Sequence, residues 1–312
     1  MKQVHFVVSL ILISCVCDRS DGQTNAMVPL AQARQGFKSK LTERGSAKEA
    51  VPEPPPDVFR TVRYDSPAGK LAAYLTPDPK DGKKHPAIIW IHGGNCNSIG
   101  EFLWQAAPAS NDQTAAVYRK SGITMMFPSL RGGNDNPGVR EGFFGEVDDV
   151  LAAADFLGKQ AFVDPQRIYL GGHSTGGTLV LLVAECSGRF RAVFSFGALH
   201  SAAWHQRQNV PFDISSTREV ELRAPILWLQ SIKSPVFVFE GTKSFPGNVQ
   251  SLQAMAKVCK NPMVRFFAVT GASHFSALAP ANQLIASKVL RDDGPATNLA
   301  FTKEELSHLI PQ

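Results

Sequence analysis

The sequence predicts an α/β fold in which a mostly parallel central sheet carries helices on both faces and a small lid insertion. Three observations predict it. Short, continuous apolar runs recur between residues 57 and 312, the pattern of strands buried on both faces. Helical patterns separate them, as parallel strands require for their crossovers. The chain of 312 residues, 44% hydrophobic, is long enough to bury the core such a sheet needs.

The N-terminus precedes that body as separate segments. Met1 to His5 is a short basic stretch and Phe6 to Ile13 an apolar run too brief to span a bilayer, so residues 1–14 read as a signal peptide. Leu12-Ile13-Ser14-Cys15 resembles the bacterial lipobox, which implies cleavage before Cys15 and lipid attachment to its thiol. Ordinary secretory cleavage a few residues later, with Cys15 discarded, is the alternative; either way the chain is expected to be secreted or held at the cell envelope. Residues 15–56 are polar and close with Val51-Pro52-Glu53-Pro54-Pro55-Pro56, which predicts a flexible Pro-rich tether. Three of the five cysteines fall in the body, and an odd number leaves a thiol unpaired unless it bonds between chains. Cys186, in a strongly apolar helix, reads as inert core.

In the body, Phe59 to Tyr64 and Lys70 to Leu75 read as an antiparallel entry pair around Ser66-Pro67-Ala68-Gly69. Strands follow at Ala87 to Ile91, Ile123 to Phe127, Ile168 to Leu170, Ala192 to Phe196, Val236 to Phe239 and Val264 to Val269. Helices are expected over Phe102 to Tyr118, Glu146 to Leu157, Thr178 to Ala184, Val249 to Val258 and Phe275 to Leu290. Sheets of this kind place their sites at the carboxyl ends of the strands, so chemistry belongs just after each apolar run.

Directly after Ile168 to Leu170 stands Gly171-Gly172-His173-Ser174-Thr175-Gly176-Gly177, a G-x-S-x-G followed at once by an apolar helix. The motif alone arises by chance about one time in ten in a chain of this length; its place between strand and helix is what gives it meaning. A strained turn there lifts the serine hydroxyl above the sheet edge and points the helix N-terminus at the same spot, so Ser174 is the candidate nucleophile and the Thr175 amide an oxyanion donor. His92-Gly93-Gly94-Asn95 after the Ala87 to Ile91 strand supplies the second donor, Gly94 first and Asn95 next. Of the histidines that follow the serine, only His274 lies directly after an apolar strand, and it is the candidate general base; His200 and His205 read as solvated loop positions that border the pocket.

Beyond these residues the chain resembles a known family over residues 60–292. Ser129-Leu130-Arg131-Gly132-Gly133, Phe144 to Val150, Asp155-Phe156-Leu157, Val163-Asp164-Pro165-Gln166-Arg167-Ile168 and the serine motif together look like the catalytic domain of the prolyl oligopeptidase family and its dienelactone-hydrolase-like relatives, which have the α/β-hydrolase fold. The family's N-terminal β-propeller has no counterpart in the residues before the body, which puts oligopeptide specificity in doubt. The resemblance also implies an aspartate after the next-to-last strand, and Glu240-Gly241-Thr242-Lys243-Ser244 offers Ser244 there. Between Ser174 and His274 the acids are Glu185, Asp213, Glu219, Glu221 and Glu240. Glu185 sits in the nucleophile helix away from the site, Glu219 and Glu221 interleave with Arg218 and Arg223 in a short solvated helix, and Asp213 reads as a turn or cap residue. Glu240 ends a buried strand at its carboxyl edge, where a charge needs a partner such as His274, and it is assigned the orienting role; the alternative is a loop-buttressing Glu240, with Asp213 or no acid serving the histidine.

The implied reaction is acyl transfer by a serine hydrolase on a small-molecule carboxylic ester or short peptide bond, with no metal and no organic cofactor. A serine exopeptidase or oligopeptidase is the rival among enzymes, and a tethered binding protein that has lost efficient catalysis is the rival from another class. Charged residues make up 19% of the chain and the net charge is +5, spread along the sequence; this excludes nucleic acid as the expected partner. The only expected membrane contact is a lipid at Cys15. The insertion between Phe196 and Ser234 is expected to shape the substrate pocket.

Overall fold

The computed structural model describes residues 28–205, 210–243 and 246–310. The signal peptide at 1–14, the lipidation site Cys15, the first part of the tether and Ser244 lie outside the described residues. Eight strands, β1 (Arg60–Ser66), β2 (Gly69–Leu75), β3 (His85–Ile91), β4 (Thr124–Pro128), β5 (Val163–His173), β6 (Val193–Phe196), β7 (Val236–Gly241) and β8 (Val264–Val269), form one sheet in the order β1-β2-β4-β3-β5-β6-β7-β8. β1 and β2 enter antiparallel, and from β4 to β8 every pairing is parallel. This is the expected α/β-hydrolase architecture.

The helices are α1 (Leu30–Ala33), α2 (Val117–Lys120), α3 (Glu146–Gly158), α4 (Thr175–Cys186), α5 (Thr217–Glu221), α6 (Pro246–Val258), α7 (Leu278–Leu290) and α8 (Lys303–Ser307). Strand side chains alternate between faces, so the apolar runs feed two cores at once. Ile89, Ile91, Leu170, Val193 and Val238 pack with α3 and α4 on one face, and Ile88, Trp90, Tyr169, Phe194, Phe237 and Phe239 pack with α7 on the other. A run buried on both faces must be continuously apolar, which is why these strands were readable.

Three expectations fail, each for a local reason. The helix expected over 102–118 is broken into two short 3-10 turns and α2, because Pro108 has no amide to donate and Asp112 draws the Thr114 amide and hydroxyl into a turn. The described part of the expected tether, 28–56, is not flexible chain but lies against the body. Leu30 is fully buried, Arg34 donates to the Phe144 carbonyl at 2.6 Å and to Asp148 at 3.2 Å, Leu41 bridges to Phe212, and the Tyr74 hydroxyl donates to the Pro52 carbonyl. Average polarity does not reveal that one leucine and one guanidinium find buried partners. The helix α5, expected to be solvated, is anchored instead: the buried Arg223 donates to buried Glu219 at 2.5 Å and to the carbonyls of Glu141 and Gly142, and lies 4.1 Å over the Phe212 ring.

Candidate active site

The turn from β5 into α4 is fixed by backbone contacts. Ser174 is held at φ 56° and ψ −112°, a conformation that a residue with a Cβ adopts only when its surroundings impose it. Its amide donates to the Phe196 carbonyl at 2.7 Å. A Cβ at Gly176 would stand 2.1 Å from the Ile91 carbonyl oxygen and one at Gly172 2.7 Å from that of Gly176, so both flanking positions of the motif must be glycine. Thr175 opens α4, and its amide is among those a helix leaves without an internal partner.

Facing this turn is the loop after β3. The Gly93 amide is taken by Gln113 Oε1 at 3.1 Å, whereas the amides of Gly94 and Asn95 make no hydrogen bond among the described residues. Thr175 Oγ1 donates to the Gly94 carbonyl at 2.9 Å and so ties the loop to the nucleophile turn. Gln113 goes further. Its Nε2 donates to His173 Nδ1 at 2.8 Å, and His173 Nε2 donates to the His274 carbonyl at 3.0 Å. Burial first, then the nearby His274, pushes the His173 imidazole down to about 3, so it stays neutral with a fixed tautomer.

His274 follows β8 and Glu240 ends β7, both buried, with Nδ1 of the ring 3.1 Å from Oε2 of the carboxylate. The other carboxylate oxygen accepts the Gly241 amide at 2.7 Å. The Asn248 amide lies 2.8 Å from the same His274 nitrogen, and a protonated Nδ1 calls for its oxygen on that side. The ring fits because Gly197 has no side chain: a Cβ there would be 2.2 Å from His274 Cε1. The His173 and His274 ring centroids are 4.4 Å apart, which brings His274 to the residue beside Ser174. No hydrogen bond joins Ser174 Oγ to His274 among the described residues.

Of the other acids, Asp213 accepts from the Ser215 amide and hydroxyl and faces Lys40, as a turn residue does. Glu185 is buried with neither carboxyl oxygen partnered, and burial holds its pKa well above the usual carboxylate range. His200 and His205 are partly buried rather than free in solvent: His200 bonds Ser251, and His205 Nε2 lies 2.7 Å from Thr178 Oγ1, its pKa pushed down to about 4 chiefly by burial. His205 lines a cavity of about 150 Å³ beside Gly94 and Thr175, whose apolar walls include Phe143, Pro211 and Phe212. The thiols of Cys96, Cys186 and Cys259 are all free, and no cluster of three His, Cys, Asp or Glu that could hold a metal is present among the described residues. Burial raises the Cys186 thiol to about 11, in keeping with an inert role.

Sequence reasoning singled out the serine, the histidine, the glutamate and the oxyanion loop, and missed Gln113, His173, Asn248 and Gly197. Gly197 alone left a signal, since it follows an apolar strand as the functional glycines of β3 and β5 do.

Comparison with known proteins places these features. The model of the prolyl oligopeptidase family matches residues 110–219. A dual-function macrocyclase-peptidase of Galerina marginata is 28% identical over 219 residues, covering 64% of this chain and 26% of its own length. The chain thus spans about a quarter of that relative. A puromycin-hydrolysing peptidase of Mycobacterium tuberculosis shares the fold with a TM-score of 0.60 at 20% identity, over 74% of this chain and 39% of that one. An esterase of Pyrococcus furiosus does so with a TM-score of 0.57 at 16% identity, over 79% of this chain and 96% of its own. The chain is related to the prolyl oligopeptidase family, and its fold is that of the α/β hydrolases.

Proposed function

We propose that this relative of the prolyl oligopeptidase family is a serine hydrolase that transfers the acyl group of a carboxylic ester or short peptide bond to water. The observation that carries the reading is the backbone of Ser174, forced to φ 56° between β5 and α4, with the His274–Glu240 pair at the same sheet edge. His274 Nε2 takes the Ser174 hydroxyl proton as Oγ attacks the carbonyl carbon; the amides of Thr175 and Gly94, with Asn95 next to them, hold the oxyanion. Glu240 accepts from Nδ1–H and stabilises the imidazolium. Collapse of the tetrahedral intermediate expels the alcohol or amine, which receives the proton from His274; water then attacks the acyl-serine with His274 again as base. Catalytic hydrogen bonds often tighten only with substrate in place, and closing the Ser174–His274 contact belongs to that step.

Fluorophosphonate labelling tests the reading. The parent protein labels rapidly, Ser174→Ala does not label, and His274→Ala labels at least about a thousand-fold more slowly. A folded parent that does not label refutes the enzyme and leaves the binding-protein reading. The leader and lipobox-like sequence support a site of action outside the cytoplasm with Cys15 as lipid anchor; mass spectrometry of the N-terminal peptide from the native host tests it, a diacylated Cys15 being the expected result and an unmodified later residue the refuting one.

A further inference from the structure

The cavity beside the oxyanion loop has polar and apolar walls in nearly equal measure, and two buried polar atoms on it lack partners. Arg140 and Glu146 both line it, and Arg140 Nε and Glu146 Oε2 are buried without a hydrogen bond. Arg140 takes part in no ion pair among the described residues, and the acids near it in sequence are engaged elsewhere: Glu141 and Asp149 by Arg131, and Asp148 by Arg34. Glu146 is fully buried, and its Oε1 accepts from Asn97 Nδ2 at 3.1 Å and from the Glu141 amide at 2.8 Å. Both donors fall on Oε1, which leaves Oε2 without a partner, and burial raises the Glu146 pKa. The cavity therefore presents a guanidinium N–H with nothing to accept from it, next to Gly94 and Thr175.

A guanidinium that only donates, left unmatched in the cavity wall, fits a ligand group that accepts. Among parts of an ester or peptide substrate, a carboxylate meets that description and also supplies the charge that Arg140 lacks. From this placement we propose that the cavity is a carboxylate subsite, with Arg140 its specificity-determining residue, so that the preferred substrates carry a free carboxylate a few bonds from the scissile carbonyl. Phe143, Pro211 and Phe212 take the apolar link between the two groups. The inference rests on the serine-hydrolase reading and adds to it the substrate class.

The experiment compares p-nitrophenyl hemiesters of succinate, glutarate and adipate with their methyl-capped neutral counterparts, and acetoxybenzoate with its methyl ester, which moves the carboxylate to the leaving group. Each is run on the parent, Arg140→Gln and Arg140→Lys, with fluorophosphonate labelling of every protein as a check on the nucleophile. The expected result is a parent kcat/KM favouring the acid of at least one pair by roughly ten- to a hundred-fold, the strength of a charge-assisted hydrogen bond. That preference collapses in Arg140→Gln and is partly restored in Arg140→Lys. A parent that labels but prefers the neutral ester in every pair overturns the carboxylate subsite and leaves the hydrolase standing. So does a preference for the acid that persists unchanged in a labelled Arg140→Gln. A parent that does not label removes both readings.

Discussion

The two halves of the proposed catalytic edge are built by different means. On the β3–β5 side, backbone does the work: Gly176 lets α4 come against the Ile91 carbonyl, Ser174 is strained by the turn, and Gly94 and Thr175 offer amides. On the β6–β8 side, side chains from separate segments converge: His274 after β8, Glu240 at the end of β7, Asn248 on α6, and Gly197 clearing space after β6. Backbone geometry demands particular residues at fixed spacing and so leaves a motif. Side-chain convergence demands only that some residue arrive with the right group, so the acid can change type or place while the base stays where it is.

The largest test of that difference concerns the acid. If the β7 carboxylate serves the base, Glu240→Gln lowers kcat roughly 10³- to 10⁴-fold through the loss of the charge that stabilises the imidazolium. Asp213→Asn leaves kcat unchanged, because Asp213 is spent on Ser215 and Lys40. Steady-state ester hydrolysis measures both, and equal losses from the two variants would show that the converging side is looser than its distances indicate.

Legibility in the sequence follows the same division. The inner strands were readable because strands buried on both faces must be apolar throughout; β8, an edge strand with Arg265 and Ala268 exposed, was located to the residue all the same. The tight turns at Ser174 and Gly94 were readable because glycine was compulsory around them. Glu240 was reached only by elimination, since its approach to His274 spans chain segments that no local pattern links. Gln113 was not readable at all: it lies in the stretch after Pro108 that was expected to be helix, and nothing nearby announces that its amide bridges Gly93 and His173. The docking of residues 28–42 and the burial of the Glu219–Arg223 pair escaped for the related reason that charged side chains read as solvated until their partners are known.

Gln113 crosses the division, since its amide joins the oxyanion loop to the nucleophile turn and, through His173, to the His274 loop. Gln113→Leu leaves the Gly93 amide and His173 Nδ1 unmatched, so kcat falls about ten- to a hundred-fold with KM changed less, as misplacement by a fraction of an ångström would produce. Gln113→Glu keeps an acceptor for Gly93 but asks His173 Nδ1 to carry a proton that burial opposes, so its activity recovers only as pH falls. A pH profile parallel to that of the parent in Gln113→Glu would dissociate His173 from catalysis and leave the two halves independent.

The smallest effect on catalysis concerns the far end of α4, where a side chain rather than the backbone is left unsatisfied. Glu185 is buried with both oxygens unpartnered, and its pKa is raised well above 4.5 by desolvation. A group whose folded pKa lies above its unfolded value contributes stability in full below the unfolded pKa and loses it as pH rises toward the folded pKa. Above pH about 4.5 the unfolded chain ionises while the folded chain holds the proton, and stability declines by up to about 1.4 kcal/mol per pH unit over that window. Glu185→Gln removes the ionisation with little change of shape, so the variant is expected to match the parent in urea unfolding at pH 4 and to exceed it at pH 8. Its rate of fluorophosphonate labelling is expected to be unchanged, because the Ser174 turn is set by contacts at the other end of the helix. A labelling rate that moved with the stability would show that the backbone half depends on its helix as a whole, rather than on the glycines that mark it.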